Sequence, residues 1–210
     1  YGEIIRLSSA TATSGDNSPR VRRQGIPSQI SRVSGLDANL RLQDSVAQRL
    51  AGLRQKHGAL SLETIEPRTV FEGDAISGLE PNWKNRATQL IEDFMIAANG
   101  ATATYLASKK FPSVRRVLKS PERWDRIVTL ASGLGERLPE QPDAVALETF
   151  LARQRKASSD KFTDLSLAVV KLIGRGEYAL DLPDGKPPGH FALAVRDYTH
   201  STAPNRRFPD

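Results

Sequence analysis

Tyr198-Thr199-His200-Ser201-Thr202-Ala203-Pro204-Asn205-Arg206-Arg207 gathers hydroxyls, an imidazole and two adjacent guanidinium groups into one short polar stretch. A guanidinium fork binds phosphate oxygens through two parallel hydrogen bonds, and Ser and Thr hydroxyls add shorter ones. The chemistry this composition suits is a grip on phosphate. Just upstream, Phe191, Leu193 and Val195 alternate with His190, Ala192 and Ala194, as in a half-buried strand. A terminal strand that delivers a polar loop is therefore expected. His200 has no acid at readable spacing, so it is expected to hold structure by hydrogen bonding, and His190 is assigned to packing.

Other chemistries are excluded or disfavoured. The chain has no cysteine, which removes disulfides, thiolate metal sites and cysteine nucleophiles together. His57, His190 and His200 lie far apart in sequence, without the spacing of a zinc site. The acids are scattered, as at Asp160/Asp164 and Asp181/Asp184, and none converge in threes or fours. Thirty Lys and Arg against 24 Asp and Glu leave a net charge of +6, which permits a polyanionic partner. No apolar run approaches the ~18 residues of a membrane span, so no membrane partner is expected. The start at Tyr1 and the end at Asp210 are expected to be cuts within a longer protein whose default compartment is the cytoplasm.

The elements that must hold the polar stretch come next. Residues 1–40 are loop-rich and basic (Arg20, Arg22, Arg23, Arg32) and are assigned to the same domain as the rest. Leu42, Val46, Leu50 and Leu53 predict a helix from Leu42 to about Lys56, stopped by Gly58. Residues 61–80 predict a hairpin turning at Glu72-Gly73-Asp74. The strongest helix runs from about Lys84 to Ser108. Its apolar stripe is Ala87, Leu90, Ile91, Phe94, Met95, Ala98, Ala101 and Tyr105, with Ile96 opposite. Ser120-Pro121-Glu122 predicts a helix start, Asp143 another, and a further helix spans about Asp160 to Ile173 with Gly174 as its stop. Tyr178–Leu180 predicts a strand before a Pro183-Asp184-Gly185 turn. The expected class is α+β: a mixed, mostly antiparallel sheet packed by several helices, with one long central helix.

Two of these segments carry a resemblance. Tyr198–Asp210, following Gly189-His190-Phe191, resembles the signature of the ribonuclease II/ribonuclease R (RNB) family, which reads roughly YTHFTSPIRRYPDL after a GHFGLA-like stretch. Asn85–Asn99 is similar to the family's LIEExMIAAN helix, at the expected upstream position. Val114-Arg115-Arg116-Val117 and Ser120-Pro121 also sit where the family has counterparts. The resemblance implies that residues 41–210 are the C-terminal two-thirds of an RNB catalytic domain. It implies a hydrolytic 3′→5′ exoribonuclease that takes single-stranded RNA and releases nucleoside 5′-monophosphates.

On this resemblance Arg206 corresponds to the arginine that contacts the scissile phosphate, with Arg207 beside it on the RNA. Glu92 corresponds to the acid that reads the ribose near the 3′ end, ahead of Asp93. Tyr198, His200, Ser201 and Thr202 are expected along the RNA. The family's magnesium is held by an aspartate cluster that has no match here, so its ligands are expected mainly outside this chain. Ala203 replaces the family's Ser, Asn205 its Ile, and a short tyrosine motif upstream of the helix is unmatched. The basic runs Arg20-Val21-Arg22-Arg23, Lys109-Lys110 and Arg115-Arg116 could line an RNA path, though each is read first as solvated surface. Of the aromatics able to stack on bases, Tyr105 and Trp124 are assigned to the core, leaving Phe111. The alternative is a catalytically dead RNA-binding or scaffolding relative. A helical interaction domain with no RNA role is a third reading.

Overall fold

A computed structural model of the chain describes residues 28–64, 66–82, 84–186 and 188–202. Arg206, Arg207 and the Arg20–Arg23 run lie outside the described residues. The described chain falls into two compact units, residues 28–51 with 84–94, and residues 52–82 with 95–202.

The first unit contains α1 (Ser28–Ser31), most of α2 (Leu36–Lys56) and the first turns of α3 (Arg86–Ser108). Helix α2 starts earlier than the Leu42 expected, and its buried residues are Leu40, Asp44 and Ala47, while Leu42 and Leu53 stand exposed. The expected stripe is thus not the one that packs. The reason is a buried carboxylate. Asp44 Oδ1 accepts from Arg86 Nε at 3.1 Å and again from Nη2, and its Oδ2 takes the Gln48 amide at 2.7 Å. A paired carboxylate can occupy a core position that an apolar pattern does not mark. The Asn85 side chain accepts from the Thr88 amide at 3.0 Å and so caps α3.

In the second unit three helices, α4 (Trp124–Gly133), α5 (Ala144–Ala157) and α6 (Ser159–Ile173), close on a core that includes Trp124, Ile127, Leu147, Phe150, Phe162 and Val169. Trp124 is core as expected, and its indole N–H reaches the Pro139 carbonyl at 2.9 Å. Asp143 caps α5 through the Ala146 amide, and Gly174 ends α6 in a left-handed conformation (φ 92°). Helix α4 departs from expectation. It begins at Trp124 after a turn at residues 122–123, and its N-cap is Arg123, without a side-chain cap bond. Among the described residues no helix is long and apolar enough to cross a membrane.

Among the described residues the strands form two small two-stranded antiparallel sheets, within an α+β fold. One is the expected hairpin, β1 (Glu66–Glu72) with β2 (Ala75–Asn82), bulged after Val70. The other pairs β3 (Ser113–Val117) with β4 (Glu177–Asp181), placing Val114 opposite Leu180 and Arg116 opposite Tyr178. Alternation along β3 turns Ser113, Arg115 and Val117 inward. The Arg115 guanidinium is buried against Asp181 at 2.7 and 2.9 Å.

The terminal strand expected over residues 189–195 is absent. Leu118 brackets this segment, donating to the Gly189 carbonyl and accepting from Phe191. Phe191–Leu193 then winds into a 3-10 turn, and the His190 amide bonds the Val195 carbonyl at 2.7 Å. The reversal needs Ala194 in the left-handed region (φ 49°) and no side chain at residue 189, where a Cβ would lie 2.6 Å from the Val195 oxygen. Phe191 packs edge-on against Trp124, its apolar character being spent on the helical core and not on a sheet face.

Helix α3 is the longest helix among the described residues, as expected, but a different face of it is buried. Leu90, Asp93, Ile96, Asn99 and Ala103 are inside, while Ile91 and Tyr105 are exposed. Ile96, assigned to the far side, is core. Two polar residues on the buried face concealed it from apolar periodicity.

Candidate functional site

Asn99 organises the polar stretch that the sequence singled out. Its side chain is fully buried, and it makes four hydrogen bonds to the segment 198–202. The Oδ1 atom accepts from the Ser201 amide at 2.8 Å and the Ser201 hydroxyl at 3.1 Å. The Nδ2 group donates to the Tyr198 hydroxyl at 3.4 Å and to Thr202 Oγ1 at 3.3 Å. One amide therefore uses its acceptor and its donors on a single loop, which fixes that loop at low dielectric. Asn99 closes the α3 motif, yet sequence reasoning did not mark it as a site residue. An Asn on the same helical face as Ile96 and Ala103 is the signal that could have found it.

Strand β3 holds the segment from its other side. The Arg116 amide donates to the Tyr198 carbonyl at 2.8 Å, and the Thr199 hydroxyl donates to the Val114 carbonyl at 2.8 Å. Tyr198 is buried, with the His190 ring edge-on 5.6 Å away. Tyr178 Oη lies 3.2 Å from His200 Nδ1, and the Arg116 guanidinium sits 4.8 Å from the Tyr178 ring centroid. His200 thus has the hydrogen-bonding surroundings expected of it. The hydroxyl protons of Thr199 and Ser201 point into the fold. Thr202 Oγ1 accepts from Asn99.

Tyr198, His200, Ser201 and Thr202 are thereby brought together. Glu92 is described in the first unit, where its carboxylate takes the Lys84 ammonium at 3.0 Å, and the neighbouring Asp93 is buried. Among the described residues no three His, Asp or Glu side chains gather as a metal site requires.

His190 sets a pH limit on this region. Burial, followed by the nearby positive charge of Arg116, lowers its pKa from 6.5 to about 4. Its Nδ1 accepts from the Leu193 amide at 3.3 Å, a bond that requires that nitrogen unprotonated. Above pH 6.5 folded and unfolded imidazoles are both neutral, and no differential arises. As pH falls from 6.5 toward 4 the unfolded form takes the proton first, so stability drops by about 2–3 kcal/mol. Urea unfolding at pH 7 and pH 4.5 should show this loss in the native chain and a smaller one in His190→Gln. Equal losses would contradict it.

The RNB domain profile matches residues 3–210. Ribonuclease R of Vibrio parahaemolyticus is 32% identical over 164 residues, which are 75% of this chain and 19% of that protein. The chain thus spans about a fifth of the length of this curated relative. Two solved structures of Mycoplasma genitalium RNase R share the fold with a TM-score of 0.71. They are the apo form (20% identity, covering 83% of this chain and 27% of the other) and the complex with ribose-methylated single-stranded RNA (18%, 83% and 27%).

Proposed function

The chain belongs to the RNB domain family, and from that membership we propose that it is the C-terminal part of the catalytic domain of a 3′→5′ exoribonuclease. The substrate is single-stranded RNA and the products are nucleoside 5′-monophosphates. One observation carries this reading: the two segments that hold the resemblance are bonded to each other, Asn99 of the α3 motif to Tyr198, Ser201 and Thr202 of the terminal motif. A loop held at that point starts the chain toward Arg206 from a fixed position.

Arg206 is assigned to the non-bridging oxygens of the scissile phosphate. Negative charge grows there as the attacking oxygen arrives, and a two-pronged donor already in place stabilises it without reorganising. Arg207 and the Thr202 hydroxyl hold neighbouring backbone, and Glu92 is the proposed acceptor for a ribose 2′-hydroxyl, which distinguishes RNA from DNA. Magnesium ligands come, on this reading, mainly from residues outside this chain.

The test uses the longer protein that carries the chain and a 5′-labelled unpaired oligoribonucleotide. Shortening from the 3′ end with mononucleotide release, and no cleavage of the DNA of the same sequence, is expected. Internal cuts would overturn the reading. Tight binding without hydrolysis would replace it with the non-catalytic alternative.

A further inference from the structure

Helix α3 ends in a group of side chains that neither packing nor the polar loop accounts for. Tyr105 is 59% exposed and Phe111 56%, although both are large rings whose transfer from water is favourable. Lys109 Nζ lies 5.8 Å from the Tyr105 ring centroid. Lys110 follows in the left-handed conformation (φ 56°), its amide bonding the Ala107 carbonyl at 2.9 Å while the Phe111 amide bonds Leu106 at 3.1 Å. This pair of bonds closes the helix.

Each bland explanation covers only part of the group. A helix C-terminus favours cations, which accounts for a lysine. The left-handed position is met more easily by glycine, yet a lysine with a Cβ stands there. Neither explains two rings left in water beside two ammonium groups. No ion pair joins either lysine to a carboxylate among the described residues. Exposed rings interleaved with unneutralised cations match single-stranded nucleic acid, whose bases offer π faces and whose phosphates offer charge. A purely apolar protein partner would leave the lysines unpaired in the interface.

We propose that Tyr105, Lys109, Lys110 and Phe111 form a stacking platform for unpaired RNA, distinct from the 198–202 segment. The rings take bases and the lysines take the adjoining phosphates. The platform rests on the exoribonuclease reading and extends it, since it adds affinity for strand that is not being hydrolysed.

The experiment measures binding of the 210-residue chain to a fluorescent oligouridylate of about 12 nucleotides across a salt series. The double variant Tyr105→Ala/Phe111→Ala should bind at least about 30-fold more weakly, with its salt slope unchanged. Lys109→Ala/Lys110→Gly, which keeps the left-handed turn, should flatten the slope by about 1.4, or about 0.7 for each phosphate the lysines no longer neutralise. Tyr105→Phe/Phe111→Tyr should bind like the native chain. Native binding that the ring-to-alanine variant shares within about twofold would overturn the platform and leave the exoribonuclease reading standing. A lowered melting temperature with unchanged affinity would also overturn it, by showing that the rings pack against protein. Failure of the native chain to bind any RNA would instead count against the RNA reading itself.

Discussion

Arg206→Ala in the hydrolysing protein is expected to slow turnover by about 10²- to 10³-fold while weakening RNA affinity by less than about tenfold. The separation follows from where charge appears. In the bound substrate the phosphate carries one negative charge that several neighbours share. In the transition state additional charge falls on the non-bridging oxygens, and only a donor aimed at them gains strength. Loss of a donor that acts mainly in the transition state therefore appears in kcat and spares binding. Arg206→Lys should recover part of the rate, because an ammonium restores charge but not the paired hydrogen bonds. Single-turnover rates and dissociation constants for the three proteins would check this. Equal losses in rate and affinity would make Arg206 a binding group and not a catalytic one.

Asn99→Ala carries the second large effect, and it is a positioning effect. The substitution removes all four bonds to the 198–202 segment in one step. It takes the Asn99 acceptor from the Ser201 amide and the Asn99 donor from the buried Tyr198 hydroxyl. A lost hydrogen bond costs about 0.5–1.5 kcal/mol net, so a loss of about 2 kcal/mol is expected for the set. Hydrogen exchange reads it locally: the Ser201 amide should exchange on the order of 100-fold faster in Asn99→Ala. Asn99→Asp separates the two halves of the clamp. It keeps an acceptor for Ser201 but has no donor for Tyr198 or Thr202, so Ser201 protection should largely survive. Unchanged exchange at Ser201 in Asn99→Ala would mean that the loop is held by β3 alone.

What the sequence disclosed depends on the kind of signal. Local signals were legible: Asp143 as a cap, Gly174 as a stop, the hairpin around Gly73 and the core position of Trp124. The faces of α2 and α3 were not, because Asp44, Asp93 and Asn99 occupy buried positions and apolar periodicity counts them as solvent-facing. Tyr105 was misassigned to the core for the same reason: rotating the stripe put it in water. The alternating run Phe191, Leu193, Val195 looked like a strand, but the close approach of residue 189 to the Val195 carbonyl folds it into a turn. Such a reversal is set by tertiary contact with Leu118 and leaves no mark in the local pattern. For the site, residue types near Arg206 pointed to phosphate. That the hydroxyls of Thr199 and Ser201 hold the loop from within became legible only through their partners.

The central proposal is that Asn99, which holds the 198–202 segment, serves hydrolysis through the Arg206 that follows that segment in sequence, and a double-mutant cycle on turnover tests it most directly. If the two residues act through one element, adding Asn99→Ala to Arg206→Ala should cost little more than Arg206→Ala alone, the strong non-additivity of coupled groups. If the two losses multiply, Asn99 and Arg206 act independently, and the loop is not the link between them.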